Sequence, residues 1–219
     1  MQIIWHGQSC FQIIASRGKN NQVLIVIDPF SEEIGLKLPK LEADILLTSH
    51  NHPDHNNVRG IGGAPFLISG PGEYEIKEVY IQGIHSWHDE EGGQKLGENT
   101  IYTIEVEDLK LCHLGGFGQR ELSASQLEKI GNVDILMIPV GGVSTIDSKV
   151  AQKIISQIEP KIIIPMHYEL PRLKAKAKLE GLDKFLKIMG VKQIEPLNKL
   201  LIKKKDLSEE EMRIVVLKP

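Results

Sequence analysis

Four side chains able to bind a metal fall within six residues in the run Thr48-Ser49-His50-Asn51-His52-Pro53-Asp54-His55. The run follows residues 44–48, a short apolar stretch that reads as a buried strand, so it occupies the loop at that strand's C-terminal end. In extended backbone, residues two apart point the same way, and His50 and His52 then present both imidazoles to one ion. Pro53 turns the chain and aims Asp54 and His55 at a second position a few ångströms away, the layout of a two-metal hydrolytic site. A His-rich surface loop, or histidines satisfied inside a core, is the competing reading. It must account for a pattern, His-x-His-x-Asp-His, that chance produces in such a composition about once in a thousand.

Positioning these groups falls to short β-branched and aliphatic runs at residues 2–5, 11–15, 23–27, 44–48, 65–68, 79–84, 100–106, 110–113, 134–138, 161–166 and 213–217, which predict strands. Turn residues at 18–21, 28–29, 70–72, 107–108 and 140–142 separate them. Helical periodicity comes later: at 123–130 behind a Ser-x-x-Gln start, at 147–158 with Glu159-Pro160 as its stop, and at 182–189 closed by Gly190. A strand-rich half joined to a half that alternates strand and helix predicts an α/β fold, a four-layer αββα sandwich of two mixed β-sheets with helices outside. With no internal repeat and no linker, residues 1–219 are expected to form a single domain.

The formal charge of −3 gives no broad attraction to nucleic acid or anionic membrane, and residues 203–205 form only a small basic cluster. No apolar stretch reaches the roughly 20 residues that cross a bilayer, and the N-terminus shows no basic leader or cleavage site. A cytoplasmic location without membrane or nucleic-acid partners is the expectation. Cys10 and Cys112 sit in apolar contexts and are expected to be reduced core residues. His167 follows the apolar strand 161–166 at the end where α/β sites collect, with a plain core histidine as the alternative. His85 and His88 compete for a place at the site, and spacing alone does not separate them. Arg172, Lys174, Lys176 and Lys178 either attract an anionic substrate or form a solvated basic face.

Taken together, these segments resemble the metallo-β-lactamase superfamily, whose signature is His-x-His-x-Asp-His in the loop after a strand. The resemblance runs through Trp5-His6-Gly7-Gln8-Ser9-Cys10-Phe11, Ile27-Asp28-Pro29-Phe30, Gly70-Pro71-Gly72-Glu73-Tyr74, Ser86-Trp87-His88-Asp89, Pro139-Val140-Gly141-Gly142 and Ile164-Pro165-Met166-His167-Tyr168. It is strongest to small prokaryotic Zn-dependent hydrolases similar to L-ascorbate-6-phosphate lactonase. It implies a first metal held by His50, His52 and His88 and a second held by Asp54, His55 and His167. It favours His88 over His85. Asp28 is implied to fix the metal loop by hydrogen bonds, although Asp-Pro is also a common turn opener. The implied activity is hydrolysis of an ester, lactone or phosphoester-type small molecule by metal-activated water. Asp54 would hold the nucleophile in line, and Tyr168, unless it is a buried structural tyrosine, would donate to the developing oxyanion. The implied metal is zinc, one or two ions, though imidazole-rich sites also accept manganese, iron or nickel.

One position departs from the resembled pattern. Where the family carries His-Leu-Gly-Asp, with the carboxylate bridging both metals, this chain has His113-Leu114-Gly115-Gly116. Two dications about 3.5 Å apart repel by roughly 19 kcal/mol at an effective dielectric of 20. Without a bridging anion at Gly116 the second metal is expected to be held weakly. The same loss supports an alternative, a non-catalytic metal-binding member of the fold. An RNA-processing nuclease is a third reading, and the charge balance argues against it.

Overall fold

Burial alternates along Gln2–Gly7, so this strand packs one face and half-exposes the other. Ile135–Pro139 and Ile162–Met166 are buried at every position, as strands covered on both faces must be. The computed structural model describes residues 1–17, 21–174, 177–208 and 211–219. Its strands in chain order are β1 (Gln2–Gly7), β2 (Cys10–Arg17), β3 (Asn21–Ile27), β4 (Leu41–Glu42), β5 (Ile45–Leu47), β6 (Ile61–Gly62), β7 (Phe66–Ile68), β8 (Gly72–Ile76), β9 (Val79–Trp87), β10 (Glu98–Val106), β11 (Leu109–His113), β12 (Ile135–Pro139), β13 (Ile162–Met166), β14 (Leu200–Leu201) and β15 (Arg213–Ile214). The helices are α1 (Ala124–Ile130), α2 (Ser148–Ile158) and α3 (Leu182–Ile188).

Two mixed sheets result, in the orders β14-β1-β2-β3-β5-β7 and β15-β13-β12-β11-β10-β9-β8. In each, one half is antiparallel and built on hairpins, and the other is parallel: β3, β5 and β7 in the first sheet, β11, β12, β13 and β15 in the second. The hairpin turns at Lys77-Glu78 and Glu107-Asp108 place both central residues at positive φ, the type I′ geometry whose twist matches that of the flanking strands. Ile25, Ile27, Ile45 and Leu47 of the first sheet join Ile101, Ile104, Leu111 and Ile135 of the second in one buried core. The intervening Val26 and Leu46 face the other way, into a smaller cluster with Phe30, Leu41 and Ile61.

The helices lie against the second sheet, where α1 touches β9 and α2 touches β12 and α3. A Ser123–Gln126 capping box starts α1, and the Asp147 carboxylate accepts the backbone N–H groups of Lys149 and Val150 at the start of α2. The outer side of the first sheet is covered by the chain between Phe30 and Ile61, including the small β4–β6 pair, rather than by an α-helix. The sandwich architecture stands, with a looped outer layer on one side. Strand β8 (GEYEI) escaped the sequence reading because its composition is charged and only its hairpin with β9 holds it. Residues 18–20 of one expected turn lie outside the described residues. Among the described residues, no helix is long and apolar enough to cross a membrane.

Candidate metal centre

The groups expected at the metals sit just beyond the C-terminal ends of strands. Asp28 follows β3, the run from Thr48 to His55 follows β5, His88 follows β9, Gly116 lies in the loop after β11, and His167 follows β13. Strand ends on this side of an open α/β sheet leave a crevice where loops converge. The β5 loop is clamped there by backbone bonds: Thr100 N–H to the Ser49 carbonyl (2.8 Å), Ser31 N–H to the Pro53 carbonyl (2.8 Å) and Asn57 N–H to the Pro29 carbonyl (2.8 Å).

The loops bring two donor sets together. His50, His52 and His88 form one, and Asp54, His55 and His167 the other, with the donor atoms of each set within 4.8 Å of one another. His88 Nε2 faces His52 Nδ1 at 3.2 Å. Asp54 Oδ2 faces His167 Nε2 at 3.3 Å and His55 Nε2 at 3.4 Å. A tetrahedral ion with metal–nitrogen distances near 2.0–2.1 Å separates its donors by about 3.3 Å, the spacing of the facing pairs His52–His88, Asp54–His55 and Asp54–His167. The buried Nε2 of His50 has no hydrogen-bond partner in the protein, the condition of a donor aimed at an ion.

Asp28, fully buried, orients the rings. Its carboxylate accepts Ser49 N–H (2.6 Å), Ser49 Oγ–H (2.6 Å) and His55 Nδ1–H (2.8 Å). With its proton given to Asp28, Ser49 Oγ can accept from His50 Nδ1 at 3.0 Å, which leaves His50 Nε2 as the bare nitrogen. A turn-opening aspartate would not need these bonds. Ser49 escaped the sequence reading because a serine between a threonine and a histidine carries no signal. So did Asn99, which accepts Gly116 N–H (2.8 Å) and donates to the Leu114 carbonyl (2.9 Å), because it lies inside a strand.

The two sets differ in charge. Burial, then electrostatic repulsion from the neighbouring His55 and His88 imidazoles, holds the His50 imidazole far below its ordinary range. Burial, then His55 and His52, push His88 down to about 4. At His55 burial also opposes the charge, but Asp54 and Asp28 outweigh it and hold the imidazolium up at about 10. Burial likewise opposes the Asp54 carboxylate, and His55 and His167 override it, keeping Asp54 ionised far below the usual range.

Other expected residues fall elsewhere. His85 is 40% exposed, lies 3.6 Å from Glu98 and packs edge-on against Trp87, whereas His88 is 2% exposed inside the cluster. Tyr168 is buried against Trp5, with ring centroids 5.1 Å apart, and does not line the cavity beside the histidines. Burial raises its phenol above the ordinary range. Packing therefore explains Tyr168 better than the expected donor role. Lys174 lines that cavity while Arg172 and Lys178 do not, and Lys176 lies outside the described residues. Cys10 and Cys112 are free and buried, as expected.

Gly116 has no side chain, and the structure allows it none at these ring positions. A Cβ there would lie 2.5 Å from His50 Cε1 and 2.7 Å from His88 Cε1. The two imidazoles occupy the space a bridging side chain would enter.

Side-chain-bearing residues in the left-handed region also collect here: Gln8 (φ 48°), Asp28 (φ 48°), Val143 (φ 65°) and His167 (φ 51°). Such strain persists only where the surroundings enforce it, and it concentrates at functional sites.

Comparison with known proteins identifies the family and the fold. Residues 2–167 match the model of a beta-lactamase superfamily domain. A UPF0173 protein of Pyrococcus abyssi is 32% identical over 191 residues, which is 77% of this chain and 83% of that protein. A UPF0173 metal-dependent hydrolase of Thermoplasma volcanium is 30% identical over 197 residues, with 77% and 83% covered. Among solved structures, a Thermotoga maritima protein assigned to the Zn-dependent hydrolases of the metallo-beta-lactamase superfamily superposes with a TM-score of 0.77 at 33% identity, covering 99% of this chain and 97% of that one. On a family match spanning most of its length, the chain belongs to the beta-lactamase superfamily and has the metallo-beta-lactamase fold.

Proposed function

We propose that this chain is a metal-dependent hydrolase of small esters, lactones or phosphoesters. In this reading His50, His52 and His88 hold one metal, zinc, and Asp54, His55 and His167 hold a second more weakly. The observation that carries it is the spacing of 3.2–3.4 Å between facing donors in both sets, with Asp28 and Ser49 fixing which nitrogen of His50 and His55 points inward. When bound, the metal supplies Lewis acidity, activating water and polarising the scissile group.

The chain's own groups do the rest. Asp28 accepts a hydrogen bond from His55 Nδ1–H, and Ser49 Oγ accepts one from His50 Nδ1–H, so both Nδ1 protons stay turned away from the donor sets. Asp54 remains ionised and sets its carboxylate beside His55 and His167, adding the one negative charge the second set offers. The names of the Thermoplasma and Thermotoga relatives support hydrolysis and zinc. Gly116 favours a second reading, a non-catalytic metal-binding protein, because the second set lacks a bridging carboxylate. Assays of lactones, phosphodiesters and thioesters with added Zn²⁺ or Mn²⁺, with His50→Ala as control, separate the two. Turnover lost in His50→Ala supports the hydrolase, whereas metal binding without turnover on any class favours the second reading.

A further inference from the structure

One histidine beside the metal centre belongs to neither donor set. His113 ends β11, is fully buried, and packs edge-on against Phe11 with ring centroids 5.8 Å apart. Both of its nitrogens bond to backbone. Nε2 lies 2.9 Å from the Ser9 carbonyl, which can only accept, and Nδ1 lies 3.1 Å from Gly115 N–H, which can only donate. Together the two partners fix a neutral ring with its proton on Nε2. Burial favours the same form by lowering the pKa, against the opposing pull of Asp28. A side chain that merely filled the space beside Phe11 would need neither nitrogen, and an apolar one would fill it at no polar cost.

The two bonds reach different halves of the metal centre. Ser9 belongs to the turn between β1 and β2, in the first sheet. In that turn the Gln8 carbonyl accepts His167 N–H (3.1 Å) as well as Trp5 Nε1–H (2.8 Å). Gln8 and His167 both sit in the left-handed region, at φ 48° and 51°, so the junction between them persists only while the turn is held. Gly115 lies on the other side, in the loop after β11 of the second sheet. Its backbone, at φ 59°, presses on Ser49 so closely that a Cβ there would overlap the serine's own. The next residue, Gly116, lies against the rings of His50 and His88.

We propose that His113 is a positioning residue that ties the two donor sets together. Its Nε2–H bond to Ser9 steadies the turn behind His167, and its Nδ1 bond to Gly115 steadies the loop behind His50 and His88. This rests on the reading that both sets hold metal. Breaking either bond leaves a buried backbone group unpaired, and the disturbance falls first on the donor set which that backbone supports.

Two substitutions separate the bonds. Asparagine places its carboxamide oxygen near the Nδ1 position and accepts from the backbone two residues on, so His113→Asn keeps the Gly115 bond and loses the one to Ser9. Glutamine reaches the Nε2 position with an N–H donor, so His113→Gln keeps the Ser9 bond and loses the one to Gly115. The experiment is stepwise zinc affinity of the full chain, measured by chelator competition for wild type and both variants, with Tm for each. His113→Asn should weaken the second zinc about tenfold and leave the first within about twofold, and His113→Gln should do the reverse. Equal losses at both steps, or unchanged zinc affinities with a lowered Tm, would make His113 a core residue and overturn the proposal. In nitrogen NMR spectra of the wild type, the His113 ring should carry its proton on Nε2, with Nδ1 responding to the first equivalent of zinc and Nε2 to the second. A ring silent to zinc overturns the proposal even if neither variant folds. A wild type that takes up no zinc would overturn the metal reading and this inference together, whereas normal uptake without the crossed pattern overturns this inference alone.

Discussion

The two donor sets lie side by side, with the His50 and His55 rings 4.1 Å apart, yet they would meet a metal in opposite protonation states. His50 and His88 are already neutral at physiological pH, so their nitrogens are free to coordinate. His55 carries a proton clamped between Asp54 and Asp28, and an ion entering that set must displace it. Gly116 deepens the asymmetry, because its missing side chain gives room to the rings of His50 and His88 and takes a carboxylate from the second set. The two donor sets, built from similar residues, thus differ because of where the acids lie: on the proposed reading His50 and His88 would take a metal without losing a proton, whereas the other set competes with a proton and lacks a bridge.

The largest effect expected is at the all-imidazole set. His88→Ala should weaken zinc binding by more than about 100-fold, the upper range for the loss of a mere supporting contact, and His85→Ala should leave it unchanged. Equilibrium dialysis of the two variants checks this, and equal losses would return His85 to the site. Asp28→Asn should come next. It turns one of the two acceptor oxygens that orient His55 and Ser49 into a donor and removes the negative charge, and it should lower metal affinity about 10- to 100-fold, most at the second set.

Substitution at Gly116 sharpens the role of the bridge. In Gly116→Ala the added Cβ must displace His50 and His88, costing about 1–3 kcal/mol and lowering affinity at the first set about tenfold. Gly116→Asp bears the same Cβ plus a carboxylate, so it should bind a second zinc more tightly than Gly116→Ala. Wild-type zinc loading by the alanine variant would show that the rings do not need the space.

The smallest effect is a proton count. At pH 7.5, titrations in buffers of different ionisation enthalpy should show about one proton released by the second equivalent of zinc and close to none from His50 or His88 by the first. The same groups set the pH dependence of the metal-free protein. The folded-state pKa of His55 is raised, so its contribution to stability is complete below its unfolded value of 6.5 and is lost as pH rises toward about 10. His88 is depressed to about 4, so its contribution is present above 6.5 and is lost as pH falls toward 4. Denaturation midpoints across pH 4–10 should therefore fall at both ends, and a flat profile would contradict the charge assignments.

Much of this was legible in the sequence, because the signals were local. The run from His50 to His55 announces itself by spacing, and the strands before Asp28, His50 and His167 by unbroken apolar runs, so strand ends and site could be joined without coordinates. The choice between His85 and His88 was not legible from spacing. It turns on β9 running to Trp87, which leaves His85 on the strand's outer face and carries His88 past its end. The hydrogen bonds of Ser49 and Asn99 depend on side chains brought together from distant strands, and no local pattern encodes them. Gly116 was legible as an absence, but the rings filling its space were not.

The most direct test is a crystal grown with one equivalent of zinc and measured across the zinc absorption edge. The strongest anomalous peak should lie about 2.0–2.1 Å from His50 Nε2, His52 Nδ1 and His88 Nε2, with a weaker peak, or none, between Asp54, His55 and His167. A stronger peak at the Asp54 set, or zinc bound away from all six residues, would contradict it.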